Sequence, residues 1–191
     1  FLFNVLITAW LGFLAAAAIQ VHRPASLADV QGIASQGKRP ATDLLDRIEQ
    51  AIWRRNAPLE LSETDVNRYL APSLAGTQAY PTKLLASFDR VALTFRPGLC
   101  RVWLCWTTGQ RPVTAALDFT VTRDKETFVV EPRGGSLGRL AVSRGVLATL
   151  VPGVRNLCAA LQEEIHAVFQ MNQIRFEMNK VVLDPRFDPE K

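Results

Sequence analysis

The sequence predicts an α+β protein, in which an N-terminal transmembrane helix precedes one domain with a curved antiparallel meander sheet packed on a long amphipathic helix. Three observations predict this fold. Residues 1–20 are predominantly apolar and carry no charged side chain. Residues 87–132 alternate apolar and polar side chains between short turns, as antiparallel strands do. Residues 154–170 repeat apolar side chains every three or four positions, as amphipathic helices do.

The first segment is long enough to cross a hydrocarbon core of about 30 Å at about 1.5 Å per residue. We interpret it as a retained anchor, although its alanine run also resembles the end of a cleaved signal peptide. Small side chains in this segment would let a helix of a partner protein approach closely. The predicted partner-helix contact consists of Gly12, Ala15, Ala16, Ala17 and Ala18.

The length of the chain, 191 residues, leaves room for one compact domain after the anchor. Prolines and glycines punctuate the segment that follows the anchor and keep any helix there short. We therefore predict an anchor over 1–20, a tether over 21–41 and an extracytoplasmic domain over 42–191. The expected location is the inner (cytoplasmic) membrane, crossed once, with the domain on the periplasmic side.

Two helices are predicted before the sheet. The first begins at Thr42 and ends at Pro58, with an apolar face that needs a partner. The second begins at Ser62, whose hydroxyl can accept a hydrogen bond from the Asp65 backbone N–H, and ends at Pro72. Capping accounts for the acidic residues of this helix without a functional site.

The predicted sheet consists of four meander strands and a last strand at 174–183. Apolar and polar side chains alternate in the third predicted strand, which predicts that one face of the sheet is covered and the other is exposed to solvent. The covered face encloses either a packed core or an apolar groove. A groove would be lined by Val91, Leu93, Phe95, Leu117 and Phe119, and it could receive an acyl chain if the amphipathic helix were displaced.

Residues Gly134 to Gly138 match the G-x-S-x-G pattern of a nucleophile elbow around Ser136. An elbow needs a strand–nucleophile–helix turn, with a downstream acid and histidine. The surrounding strands are predicted to be antiparallel, and the only downstream histidine, His166, lies beside an apolar helix stripe. We therefore predict a glycine-rich loop and no enzymatic activity.

The remaining composition favours neither a cofactor, nor a metal site, nor nucleic-acid binding. The spacing of Cys100, Cys105 and Cys158 is not that of a zinc site, and five positions along a strand put Cys100 and Cys105 on opposite faces. The net charge is +4 and its basic residues are scattered, whereas phosphate binding needs a concentrated basic face.

Two segments carry a resemblance to a known family: LSETDVNRYL at Leu61 to Leu70, and GGSLGRLAV at Gly134 to Val142. With the order of elements around them, they resemble the YpmS-like single-pass extracytoplasmic proteins and, more loosely, the tubular lipid-binding folds. The resemblance implies a membrane-tethered, non-catalytic domain that handles lipid or partner proteins.

The predicted function is that of a non-enzymatic accessory subunit of a larger membrane protein complex. It would dock through its single helix and its outer domain, and its partners would be integral membrane subunits and membrane lipids. The alternative is a membrane-tethered lipid-binding module.

Overall fold

The structure, a computed structural model, describes residues 2–33, 44–75, 89–108, 111–125, 127–147 and 151–186. The helices are α1 (Leu2–His22), α2 (Leu44–Arg54), α3 (Glu63–Ala75), α4 (Arg144–Leu147), α5 (Val151–Ala160) and α6 (Gln162–Phe169). The strands are β1 (Leu59–Ser62), β2 (Arg90–Arg96), β3 (Leu99–Thr108), β4 (Arg111–Asp124), β5 (Thr127–Leu137), β6 (Leu140–Val142), β7 (Gln173–Glu177) and β8 (Lys180–Asp184).

The strands form two antiparallel sheets, so the α+β class and the antiparallel meander are confirmed. The larger sheet has the order β2-β3-β4-β5-β6, and the smaller has the order β1-β8-β7. The prediction of a single last strand was wrong. The chain reverses after β7 at Met178 and Asn179, where Asn179 takes a φ of +60°, a conformation that asparagine tolerates well.

The segment predicted as a glycine-rich loop is part of strand β5. Gly135, Ser136 and Leu137 pair with β4 on one side and with β6 on the other. Arg133 is an extra residue on β5, because Gly134 pairs with Asp118 while Pro132 pairs with the next residue of β4. Such a bulge bends a strand and increases its twist, so the curvature of the sheet is concentrated here.

The first face of the larger sheet carries the main hydrophobic core. Val91, Leu104 and Ala115 lie opposite one another across three strands, and Val102 lies opposite Leu117 in the next row. Residues of α2, α3, α5, α6 and the smaller sheet pack on this face. The helix predicted over 154–170 is divided at Leu161 into α5 and α6. The prediction that one long helix covers the sheet is therefore wrong.

The second face of the larger sheet is covered by the segment that follows α1. Val30 is buried against Ala92, Trp103 and Ala116. The Ala25 backbone N–H also donates to Thr114 Oγ1 at 2.9 Å. Part of the predicted tether therefore packs as a layer of the fold.

The outer edge of β2 is hydrogen-bonded by side chains of α3. Asn67 Oδ1 accepts the Leu93 N–H at 2.6 Å, and its Nδ2 donates to the Leu93 carbonyl at 2.8 Å. Glu63 Oε2 accepts the Phe95 N–H at 3.1 Å. Both side chains also bond Gln31, through its carbonyl and its N–H respectively, and both are fully buried. Helix α3 thus occupies the place of a sixth strand.

The predicted transmembrane anchor over 1–20 is wrong, because no helix within the described residues is both long enough and apolar enough to cross a membrane. The physical reason lies at the end of α1. Its last turn is bound to the folded domain, where the Arg139 N–H donates to the Gln20 carbonyl at 3.0 Å. The helix before that turn, residues 2–18, measures about 26 Å at about 1.5 Å per residue. A hydrocarbon core of about 30 Å is thicker.

Candidate functional site

Helix α1 exposes large apolar side chains around most of its described circumference. Trp10, Leu11, Phe13, Leu14 and Ile19 each leave between 47% and 63% of their surface exposed. The rings of Trp10 and Phe13 stack with centroids 5.9 Å apart. Contiguous exposed apolar surface of this kind marks an interaction site in folded proteins.

The small residues predicted to contact a partner helix lie on the same helix, on more than one side. At about 100° per residue, Gly12, Ala15 and Ala16 face away from Trp10, whereas Ala17 and Ala18 do not share their side. A Cβ added to Gly12 would meet no atom within 4 Å. The structure therefore brings three of the five residues together on an open face and separates the other two.

The C-terminal end of α1 is fixed by the turn between β5 and β6. Gly138 has a φ of +58°, and its N–H donates to the Thr114 carbonyl at 2.7 Å. An added Cβ at Gly138 would lie 2.3 Å from the Val21 carbonyl oxygen and 2.6 Å from that of Gln20. The neighbouring Arg139 brings a cation to the negative end of the helix. Helix α1 is thereby held at a defined position on the domain.

The five residues predicted to line an apolar groove do lie on one face of the larger sheet. Val91, Phe95 and Leu117 are buried members of the main core, and Leu93 and Phe119 pack against it. An acyl chain would have to displace packed side chains to reach them.

The tryptophans of β3 are not exposed contacts. Trp103 is buried on the second face, where its indole N–H donates to Thr94 Oγ1 at 3.2 Å. The Arg101 guanidinium stacks 5.5 Å from its ring centroid and pairs with both carboxylate oxygens of Asp118 at 2.6 and 2.8 Å. The hydrogen bond with Asp118 raises the pKa of Arg101. These polar groups satisfy one another and form a structural network.

Ser136 is not positioned as a nucleophile. It lies inside β5, with Ala116 opposite it on β4 and Ala141 on β6, so no strand-to-helix turn presents its hydroxyl. His166 is on the exposed side of α6. Within the described ranges, no three His, Cys, Asp or Glu side chains converge as metal ligands.

The three cysteines are free thiols in different surroundings. Cys100 packs against the main core on the first face, and Cys105 lies on the second face, as their spacing predicts. Burial raises the pKa of the Cys100 thiol to about 12, with further increases from the negative charges of Asp118 and Glu63. Cys158 is exposed on α5.

We expect Cys158 to react with a maleimide at pH 8 at least about 100-fold faster than Cys100, since only a thiolate attacks and Cys100 is held as the thiol. Mass spectrometry of tryptic peptides measures both rates. In urea the two cysteines should label alike, and equal rates in the folded protein would contradict the assigned burial.

Sequence reasoning missed two parts of this arrangement. Glu63 was assigned to helix capping and Asn67 was given no role, although their spacing of four puts both on the inner side of α3 with Leu70. That spacing was a usable signal. Gly138 carries no comparable signal, since its role depends on a helix more than 110 positions earlier in the chain.

No protein-family model matches the chain, and no curated protein matches it in sequence. The resemblance to the YpmS-like proteins therefore stays a prediction.

Proposed function

We propose that this protein is a non-enzymatic accessory subunit of a larger complex, and that helix α1 is the element by which it binds its partner. The observation that carries the proposal is that α1 exposes its apolar side chains although its C-terminal end is held in place by the domain. Five large apolar side chains point to solvent on a helix whose last turn is bonded to the domain. A helix that is apolar around most of its surface is stable only when another surface covers it.

The shape of α1 favours a groove between helices of the partner. Trp10, Phe13 and Leu14 form one bulky side. Gly12, Ala15 and Ala16 form an opposite side of small residues, which a second helix can approach closely and which ends one turn later at the exposed Ile19. A groove with two walls would cover both sides. Stacked aromatic side chains such as Trp10 and Phe13 are typical of interface residues with large effects on affinity.

Integral membrane subunits are the partner class we propose, because they offer grooves lined by apolar side chains. The complex would lie at the inner membrane, with the domain on its periplasmic side. In this position the folded domain would brace the partner outside the bilayer, while α1 would contribute the apolar contact.

Replacing Trp10 with glutamate should weaken association with the partner by about 2 kcal/mol or more, which is roughly 30-fold, because a charge would enter an apolar contact. The measurement is quantitative recovery of partner subunits from a detergent extract of inner membranes, with the full chain as bait. Ala16→Leu should also weaken recovery by adding bulk on the opposite side of α1.

The matched control is Trp53→Glu, because Trp53 is 92% exposed on α2 and lies outside the proposed contact. Circular dichroism should show that all three variants remain folded. Equal recovery with Trp10→Glu and with the unchanged chain would refute the proposed role of α1.

The rival function, a lipid-binding module, gains no support from the packed face. Organic extracts of the purified protein should contain no stoichiometric lipid on the accessory-subunit hypothesis. Mass spectrometry that finds one lipid per chain, lost in a Leu117→Trp variant but retained in Trp53→Glu, would favour the rival.

A further inference from the structure

Arginines that are far apart in the sequence lie together at the end of the larger sheet that adjoins α1. Arg90 on β2 pairs with Cys105 on β3, and Cys105 pairs with Thr114 on β4. The Thr114 carbonyl accepts the Gly138 N–H, so Arg139 follows at the far end of the same row. Three strand spacings of about 4.8 Å make this row about 14 Å long.

Two further arginines lie beside the row. Arg111 is the first residue of β4, three positions before Thr114. The backbone of Arg23 approaches the turn after β5, since its carbonyl oxygen would lie 2.7 Å from a Cβ added at Gly138. All four side chains are exposed. We call this set the arginine patch: Arg23, Arg90, Arg111 and Arg139.

The charge of the arginine patch is not neutralised by ion pairs. Within the part of the chain that the structure describes, none of its guanidinium groups lies in a salt bridge. Asp89 is the acid beside Arg90, and its carboxylate instead accepts the Thr107 hydroxyl at 2.6 Å. Elsewhere on the same sheet, the exposed Arg133 is paired with Glu131 at 3.2 Å. The patch therefore presents a net positive charge to whatever faces this end of the domain.

We propose that the arginine patch binds the anionic headgroups of phospholipids at the membrane surface. This inference rests on the proposed function: a domain that holds α1 in the apolar groove of an integral membrane subunit turns the end next to α1 toward the bilayer. Guanidinium groups suit phosphate oxygens, because they can donate two parallel N–H hydrogen bonds. Basic side chains near an anionic bilayer are also attracted by its surface potential. The patch thereby sets the orientation of the domain against the membrane.

Binding of the full chain to vesicles, after dilution from mild detergent, tests the patch. Sedimentation compares phosphatidylcholine vesicles with vesicles of equal parts phosphatidylcholine and phosphatidylglycerol, and the ratio of the two affinities is the anionic preference. We expect tighter binding to the anionic vesicles. Arg90→Gln should lower the anionic preference about fivefold, because one basic contact with the surface is lost. Adding Arg111→Gln should lower it further, and high salt should suppress it in the unchanged chain.

Arg96→Gln is the matched control. Arg96 is an exposed arginine on the same strand as Arg90, at the opposite end of β2. Its replacement should leave the anionic preference unchanged. Equal affinity of the unchanged chain for both kinds of vesicle would overturn the proposal, and so would an equal loss of preference with Arg96→Gln and Arg90→Gln.

Recovery of partner subunits in detergent separates this inference from the role of α1. Trp10→Glu should weaken recovery and leave the anionic preference unchanged, whereas Arg90→Gln should have the reverse effects. Normal recovery with Trp10→Glu would refute the role of α1, while a lower anionic preference with Arg90→Gln would support the patch independently. If Arg90→Gln weakened recovery and left the anionic preference intact, the patch would bind an acidic protein surface, and the lipid proposal would be wrong.

Discussion

Replacing Asn67 with alanine should lower the free energy of unfolding by about 3 kcal/mol or more. The Asn67 amide satisfies the N–H and carbonyl of Leu93 and the carbonyl of Gln31, and the side chain is fully buried. Each buried polar group left without a partner costs about 1–3 kcal/mol. Urea unfolding monitored by circular dichroism measures the loss.

Asn67→Asp distinguishes the role of the accepting oxygen of the Asn67 amide from that of its donating nitrogen. An aspartate still accepts the Leu93 N–H, but it places negative charge against two carbonyl oxygens, so it should also destabilise the fold strongly. The exposed Asn56 gives a matched control, and Asn56→Ala should change the free energy of unfolding by less than about 0.5 kcal/mol. Similar losses at Asn56 and Asn67 would contradict the role assigned to the β2 edge.

Replacing Gly138 with alanine should release the end of α1 from the domain and destabilise the protein by several kcal/mol, on the order of 3. A Cβ at this position would meet the carbonyl oxygens of Gln20 and Val21 at 2.6 and 2.3 Å, and backbone atoms cannot move aside as a flexible side chain can. Hydrogen exchange should show that the Arg139 amide, which donates to the Gln20 carbonyl, loses its protection.

Gly98 provides the control for backbone conformation. Its φ is +71°, close to that of Gly138, but a Cβ there would meet nothing within 4 Å. Gly98→Ala should therefore cost only the left-handed backbone penalty of about 1–2 kcal/mol. If Gly138→Ala costs no more than Gly98→Ala, the close contact with α1 contributes nothing to stability.

The parts of the fold that depend on local pattern were predictable. Strands β2 to β4 follow alternation and short turns, and the Ser62 hydroxyl accepts the Asp65 N–H at 3.1 Å as the capping pattern predicts. The apolar run of α1 also predicts a helix. Its length alone suggested a membrane span, since a sequence window does not show that the last turn is bonded to Arg139.

Contacts between distant segments could not be predicted in the same way. The pattern after α1 has many turn residues and few apolar ones, yet Val30 is buried against Trp103 because the second face of the sheet needs a cover. Likewise, Leu117 and Phe119 have the same alternation whether their face is open or packed. Only the placement of the helices distinguishes a groove from a core.

Helix α3 can take the place of a strand beside β2 because the spacing of side chains along a helix nearly matches the spacing of backbone groups along a strand. Four residues of an α-helix rise about 6.0 Å, and two residues of an antiparallel strand about 6.8 Å, so Glu63 and Asn67 can reach Phe95 and Leu93 at once. The match sets a limit on assembly. An edge whose backbone groups at Leu93 and Phe95 are already hydrogen-bonded offers no free groups there to a further strand. The buried carboxylate of Glu63 and amide of Asn67 thereby protect the β2 edge from edge-to-edge aggregation with other chains.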